Sequence, residues 1–239
     1  MKIVAISDLH GYLINPDALN KEGHFDVLCI CGDIIPLDIQ SKAEESNNWF
    51  NNEFVEWCNK IDCDKIIFIA GNHDRYLEKM LIKNEYNAHI VSDYMNWSEK
   101  LVFLHDSSYV YKDKWFYGTP WCPNLYMWSF YGDPKELKEK FSNIPDCDVL
   151  ISHTPGRHMF DTGTIMEYNR MEEVGSSELT EAVMNKKIGL WLCGHIHSGC
   201  HTLNTFENPD YKCCGMKVAN VSLLNESYSP SYSPLFIEI

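Results

Sequence analysis

The sequence predicts an α/β protein in which a mixed sheet system carries its helices on the outside. Three observations predict it. Short apolar runs of five or six residues recur along the chain, nearly continuous rather than alternating, as strands covered on both faces require. Segments with helical periodicity or helix caps stand between them. A stretch near the middle reads instead as β-hairpin material.

The first runs are KIVAIS (2–7) and DVLCIC (26–31). Before the third, KIIFIA (65–70), lies QSKAEESNNWFNNEFVEWCNKI (40–61), where Phe50, Phe54, Trp57 and Ile61 draw one apolar stripe at helical spacing. A helix-like segment at 75–85 follows. LVFLHDSSYVYKDKWFYGTPW (101–121) predicts a hairpin turning at Lys112-Asp113-Lys114. DPKELKEKF (133–141) opens with Asp133 as N-cap and Pro134 at the first helical position. DVLIS (148–152) and GLWLC (189–193) enclose a helix at 176–187, capped by Ser176 or Ser177 and ending in basic residues that suit its dipole. The tail returns to strand in KVANVSLLN (217–225) and PLFIEI (234–239). No Pro/Gly/Ser linker or internal repeat divides the chain, so one domain over 1–239 is expected.

The 239 residues are 45% hydrophobic and carry a formal net charge of -14. An acidic surface repels polyanions, so wrapping long nucleic acid is disfavoured unless a local patch reverses the field. No apolar run approaches the length of a membrane span, and no signal segment opens the chain, so a cytoplasmic protein with no membrane partner is expected. Ten cysteines with no CxxC pair point to free thiols, not to a disulfide framework or a zinc knuckle. Cys29, Cys31, Cys147 and Cys193 lie in or beside apolar runs, where cysteine acts as a small hydrophobe.

The residues that follow each apolar run carry the chemistry. KIVAIS leads to Asp8-Leu9-His10, DVLCIC to Gly32-Asp33, and KIIFIA to Gly71-Asn72-His73-Asp74. DVLIS leads to His153, and GLWLC to Gly194-His195-Ile196-His197. Any one of these is an ordinary turn. Five together place Asp, Asn and His at the strand edge where open α/β sheets form ligand sites. Asp8, His10, Asp33, Asn72, His153, His195 and His197 supply seven oxygen and nitrogen donors, more than one ion needs. Two ions sharing a carboxylate would use them, and the mixed imidazole and carboxylate set suits Mn, Fe, Zn, Ni or Co, with Mn favoured. With no thiolate in the set, a soft metal is not expected.

This ordered series resembles the calcineurin-like metallophosphoesterase superfamily over residues 8 to 197. GTPWCPN (118–124) and HTP (153–155) look most like its small metallophosphoesterase-domain-containing, class III phosphodiesterase-like members, known for cyclic-nucleotide phosphodiesterase activity. The resemblance implies a four-layer α/β/β/α sandwich of two mixed β-sheets. It also implies two divalent metal ions: Asp8, His10 and His197 hold the first, Asn72, His153 and His195 the second, and Asp33 bridges. Asn72 and His73 then meet the substrate, with His73 protonating the leaving oxygen as hydroxide generated between the cations attacks phosphorus. Asp74 either orients His73 or caps the following helix. Arg75 either binds phosphate or is an exposed helix residue, and Tyr117, Trp121 and Trp128 either stack on substrate or pack under the hairpin. GDIIPLD (32–38) lacks the Arg-Gly pair of the protein Ser/Thr phosphatases, which argues against a phosphoprotein substrate. A small phosphodiester is therefore the expected substrate. A phosphomonoesterase, a nuclease or a non-catalytic scaffold of the same fold are the alternatives.

Overall fold

In the computed structural model, which describes residues 1–95, 97–123, 125–165 and 170–239, the predicted apolar runs become strands of two sheets. The first sheet sets β1 (Lys2–Ile6), β2 (Phe25–Ile30), β3 (Cys63–Phe68) and β4 (Leu101–Phe103) side by side and parallel. Antiparallel β15 (Leu235–Glu238) forms its outer edge against β1. The second sheet has parallel neighbours β6 (Lys114–Thr119), β9 (Cys147–Ser152), β12 (Ile188–Cys193) and β14 (Lys217–Asn220). Its edges are antiparallel, β5 (Ser107–Tyr111) on β6 and β13 (Asn204–Thr205) on β14. Two short pairs stand apart: β7 (Cys122–Pro123) with β8 (Tyr131–Gly132), and β10 (Thr162–Ile165) with β11 (Arg170–Glu173).

Side chains alternate across each strand, and that alternation makes the layers. Ile3, Ala5, Val27, Cys29 and Ile67 of the first sheet meet Val149, Ile151, Leu190 and Leu192 of the second in one buried aliphatic layer. Their neighbours Val4, Ile6, Leu28, Ile30, Ile66 and Phe68 point the other way, toward helices. Helices therefore cover both outer faces, and the architecture is the four-layer α/β/β/α sandwich. Each fully buried aliphatic side chain contributes roughly 1.5–3 kcal/mol, so the two sheets cannot separate cheaply.

The stripe at 40–61 forms a continuous helical stretch, α2 (Ala43–Trp49), a π-helical turn (Phe50–Phe54) and α3 (Val55–Lys60). It buries Phe50, Phe54, Trp57 and Ile61 as the spacing requires. The other helices are α1 (Pro16–Asn20), α4 (Arg75–Lys83), α5 (Ala88–Tyr94), α6 (Pro134–Ser142) and α7 (Ser177–Met184). Asp133 and Glu136 make a capping box on α6, and Ser176 Oγ accepts from the Leu179 amide on α7.

The 101–121 segment departs from the predicted hairpin. Only β5 and β6 form one, turning on Lys112 and Asp113, both in left-handed backbone. Leu101–Phe103 is buried throughout and joins β3 in the first sheet instead, so the chain changes sheets at residues 104–106.

Candidate metal centre

The C-terminal ends of β1, β2 and β3 meet those of β9 and β12 at one place. Backbone bonds fasten the loops together: the Asp8 amide to Gly32 O at 3.0 Å, His10 to Asp33 O at 2.9 Å, and Gly194 to His153 O at 2.8 Å. Asp8, His10, Asp33 and His195 all have positive φ, between 42° and 69°. Left-handed backbone in non-glycine residues is costly and gathers where function requires it. Two glycines allow the close approach. A Cβ on Gly71 would lie 2.3 Å from Asp33 Oδ1, and one on Gly194 would lie 2.4 Å from Asp8 Oδ2.

Two groups of donors result. Asp8, His10 and His197 bring ligand atoms within 4.8 Å of one another, and so do Asp8, Asp33 and His153. His10 Nε2 faces His197 Nε2 at 3.3 Å, and His197 Nε2 lies 3.4 Å from Asp8 Oδ1. His153 Nε2 lies 3.0 Å from Asn72 Oδ1 and 3.3 Å from Asp33 Oδ2. The same Asp33 oxygen is 3.7 Å from His10 Nε2, so it stands between the groups. The His195 amide donates to Asp8 at 2.9 Å, and its ring packs edge-on against His153 with centroids 5.1 Å apart.

The imidazoles are preset. His153 Nδ1 donates to Cys31 O at 2.7 Å and His197 Nδ1 to Asn225 O at 3.0 Å, which turns each Nε2 into the cluster. Burial alone would lower His153 and His197, but Asp33 and Asp8 respectively overcome it and hold both at about 9. Burial would likewise raise Asp8 and Asp33. The Asp8 bond to His197 and the His153 charge beside Asp33 reverse that, and both stay below the usual carboxylate range. Burial keeps His10 and His195 near 4, neutral at pH 7. Protons on His153 and His197 thus stand where cations would compensate two buried carboxylates. The donor set fits divalent ions of the borderline class.

His73 and Asp74 part company. The His73 amide donates to Asp33 Oδ1 at 2.7 Å, and its Nδ1 lies 2.8 Å from Gln40 Oε1. Asp74 neither orients His73 nor caps α4 with its side chain. Its carboxylate accepts the amides of Ile34 and Ile35, both at 2.9 Å, and that of Gly71 at 2.8 Å. It therefore pins two turns of the site together, while burial and then Asp33 push it up to about 7. Gln40 takes the orienting position. The Arg75 guanidinium donates to Met127 O and so braces the Trp128 loop, which the Ser129 amide also ties to Asn72 O at 3.1 Å.

Above the donors opens a cleft of about 220 Å³ whose mouth is lined by Leu125, Trp128, Glu226 and Tyr228. Clefts of about 280 Å³ beside Phe236 and 320 Å³ beside Tyr109 are larger but hold none of these donor groups. Tyr117 and Trp121 are buried packing residues, whereas Trp128 is 38% exposed and lies on His73 with ring centroids 4.2 Å apart. Tyr228, at φ 56°, meets His10 and His197 edge-on at 5.0 and 5.3 Å. Ser222 Oγ donates to Asp8 Oδ2 at 2.7 Å. Cys122 also reaches the site: its Sγ forms a group with His153 and His195 within 4.8 Å, so a thiol does stand by the donors. Asn124, the last residue of GTPWCPN, lies outside the described residues.

A sheet-end cluster of buried carboxylates and imidazoles beneath an open cleft is the equipment of a metal-dependent phosphoesterase. The sequence profile of the calcineurin-like phosphoesterase family matches residues 1–199, and the chain belongs to that family. No curated protein sequence matches the chain. The matched region ends just after His197, so Ser222, Asn225, Glu226 and Tyr228 reach the site from beyond it. Among the described residues no helix is long and apolar enough to cross a membrane.

Proposed function

We propose that the chain, acting as one cytoplasmic domain over 1–239, hydrolyses small phosphodiesters at a two-metal site of the class III phosphodiesterase type. The observation that carries this is Asp33 Oδ2, placed between His10 of one donor group and His153 of the other. Asp8, His10 and His197 would hold one divalent ion and Asn72, His153 and His195 the other, with Asp33 beside both groups. When bound, such a pair of ions neutralises phosphoryl charge and lowers the pKa of water from 15.7 toward about 7.

The chain's own residues do the rest. Gln40 holds His73 Nδ1, which leaves Nε2 for the departing oxygen. Burial lowers the His73 pKa, so the imidazolium that donates from Nε2 is a minor, more acidic form at neutral pH, and turnover should fall as pH rises. Among the described residues the cleft lining includes no lysine or arginine, and Glu226 adds a carboxylate. That balance suits a singly charged diester better than a doubly charged monoester. Trp128 and Tyr228 offer ring faces to an aryl group or base.

The test is turnover of bis-p-nitrophenyl phosphate against p-nitrophenyl phosphate by metal-stripped protein given Mn²⁺. Faster diester hydrolysis, lost in both Asp33→Asn and His73→Ala, is the expected result. A monoester preference would overturn the substrate class, and no turnover with two ions bound would overturn catalysis itself.

A further inference from the structure

We infer that Cys122 is a thiol donor to the second metal position and makes that position prefer a thiophilic divalent ion over manganese. The inference rests on the two-metal reading above and deepens it, because it makes the two positions chemically unequal. The first offers only carboxylate and imidazole. The second adds sulfur to Asn72, His153 and His195.

The geometry comes from sheet register. Thr119 at the end of β6 pairs with Ser152 at the end of β9, and the His153 amide donates to Thr119 O at 3.2 Å. Three residues past Thr119, Cys122 is fixed by its own amide bond to Phe130 O at 2.8 Å. Its sulfur is thereby held within 4.8 Å of the ligand nitrogens of His153 and His195. Cys122 and His153 are both wholly buried. The thiol donates a long bond, 3.8 Å to Pro120 O.

Among the described residues no other cysteine belongs to a donor group. Cys29 and Cys31 are packed between the sheets among aliphatic side chains, as a small hydrophobe would be. On binding, the ion replaces the thiol proton, which passes to solvent, and nothing is oxidised or reduced. Sulfur ligation raises affinity for zinc, cobalt or cadmium more than for manganese, whose preference is for oxygen.

Cobalt reads this directly. Full-length protein with Cys200→Ser and Cys214→Ser, which removes the two exposed thiols, is stripped with chelator and given two equivalents of Co²⁺. A sulfur-to-cobalt charge-transfer band in the near ultraviolet is expected. Adding Cys122→Ser should abolish the band and lower the preference for Zn²⁺ over Mn²⁺ by about tenfold or more. Absence of the band from the protein that keeps Cys122 overturns the inference, as does its persistence after Cys122→Ser. Should the serine variant fail to fold, the Cys122-containing protein decides alone, with Cd²⁺-thiolate absorption as the second measurement. Phosphodiester turnover without the band would overturn only this inference. The band without turnover would overturn only the proposed reaction.

Discussion

The floor of the site and its mouth are built by different means. On the floor, Asp8, Asp33, Asn72 and His153 are at most 3% exposed, and each follows a strand whose register fixes it. At the mouth, Trp128 and Tyr228 are 38% and 44% exposed and ride on loops. A few bonds hold each loop, such as the Ser227 and Ser229 amides on Asn225 Oδ1 at 2.9 and 3.1 Å. Sheets place the reacting groups, and loops choose what reaches them.

This division can be broken by substitution. Asp33→Asn, on the floor, should cut both metal affinity and turnover more than about a hundredfold for every substrate. Calorimetric metal titration beside a rate assay would show it. His73→Ala should lower kcat by about 10²–10⁴-fold with metal binding intact. Gln40→Ala should cost about tenfold in kcat, since Gln40 acts only through His73, and Gln40→Glu should restore much of it. Trp128→Ala should raise KM about fivefold for aryl diesters and leave dialkyl ones nearly unchanged, the size of one aromatic contact. If Trp128→Ala lowered kcat equally for both, mouth and floor would not be separate.

The smallest effect concerns protons. In the metal-free protein His153 and His197 titrate at about 9, above the ordinary 6.5. Their contribution to stability is complete below 6.5 and is lost as pH rises through 9. His10 and His195, held near 4, act in the opposite sense, and their contribution is lost as pH falls from 6.5 through 4. Thermal melts of stripped protein should therefore peak near pH 6.5, and saturating metal should flatten the alkaline side.

The floor was legible because its signal is local. An apolar run followed at once by Asp, Asn or His tells both where a strand ends and what stands there, and the structure brings all seven such donors together. Asp74 shows the limit of that reading. It sits inside Gly71-Asn72-His73-Asp74, yet its partners Ile34 and Ile35 lie 40 and 39 residues away, and no spacing announces them. Gln40 was hidden in the same way at the head of a helix-like segment. Trp121 and Trp128 look alike in sequence, and only tertiary packing buries one and opens the other. Leu101–Phe103 has the pattern of either sheet, and pairing with β3 decided it. Cys122 follows a strand at a distance of three residues, too far for the pattern of immediate strand-end donors to include it.

The bond from Ser222 to Asp8 spans 214 positions of sequence. His197 likewise depends on Asn225 O for its orientation, and both partners arrive on the segment after β14. Contacts so distant along the chain close late, because loop entropy must be spent before they return anything. During synthesis the donors near residue 8 therefore exist long before they are oriented. The finished geometry of the donors therefore depends on the segment after β14.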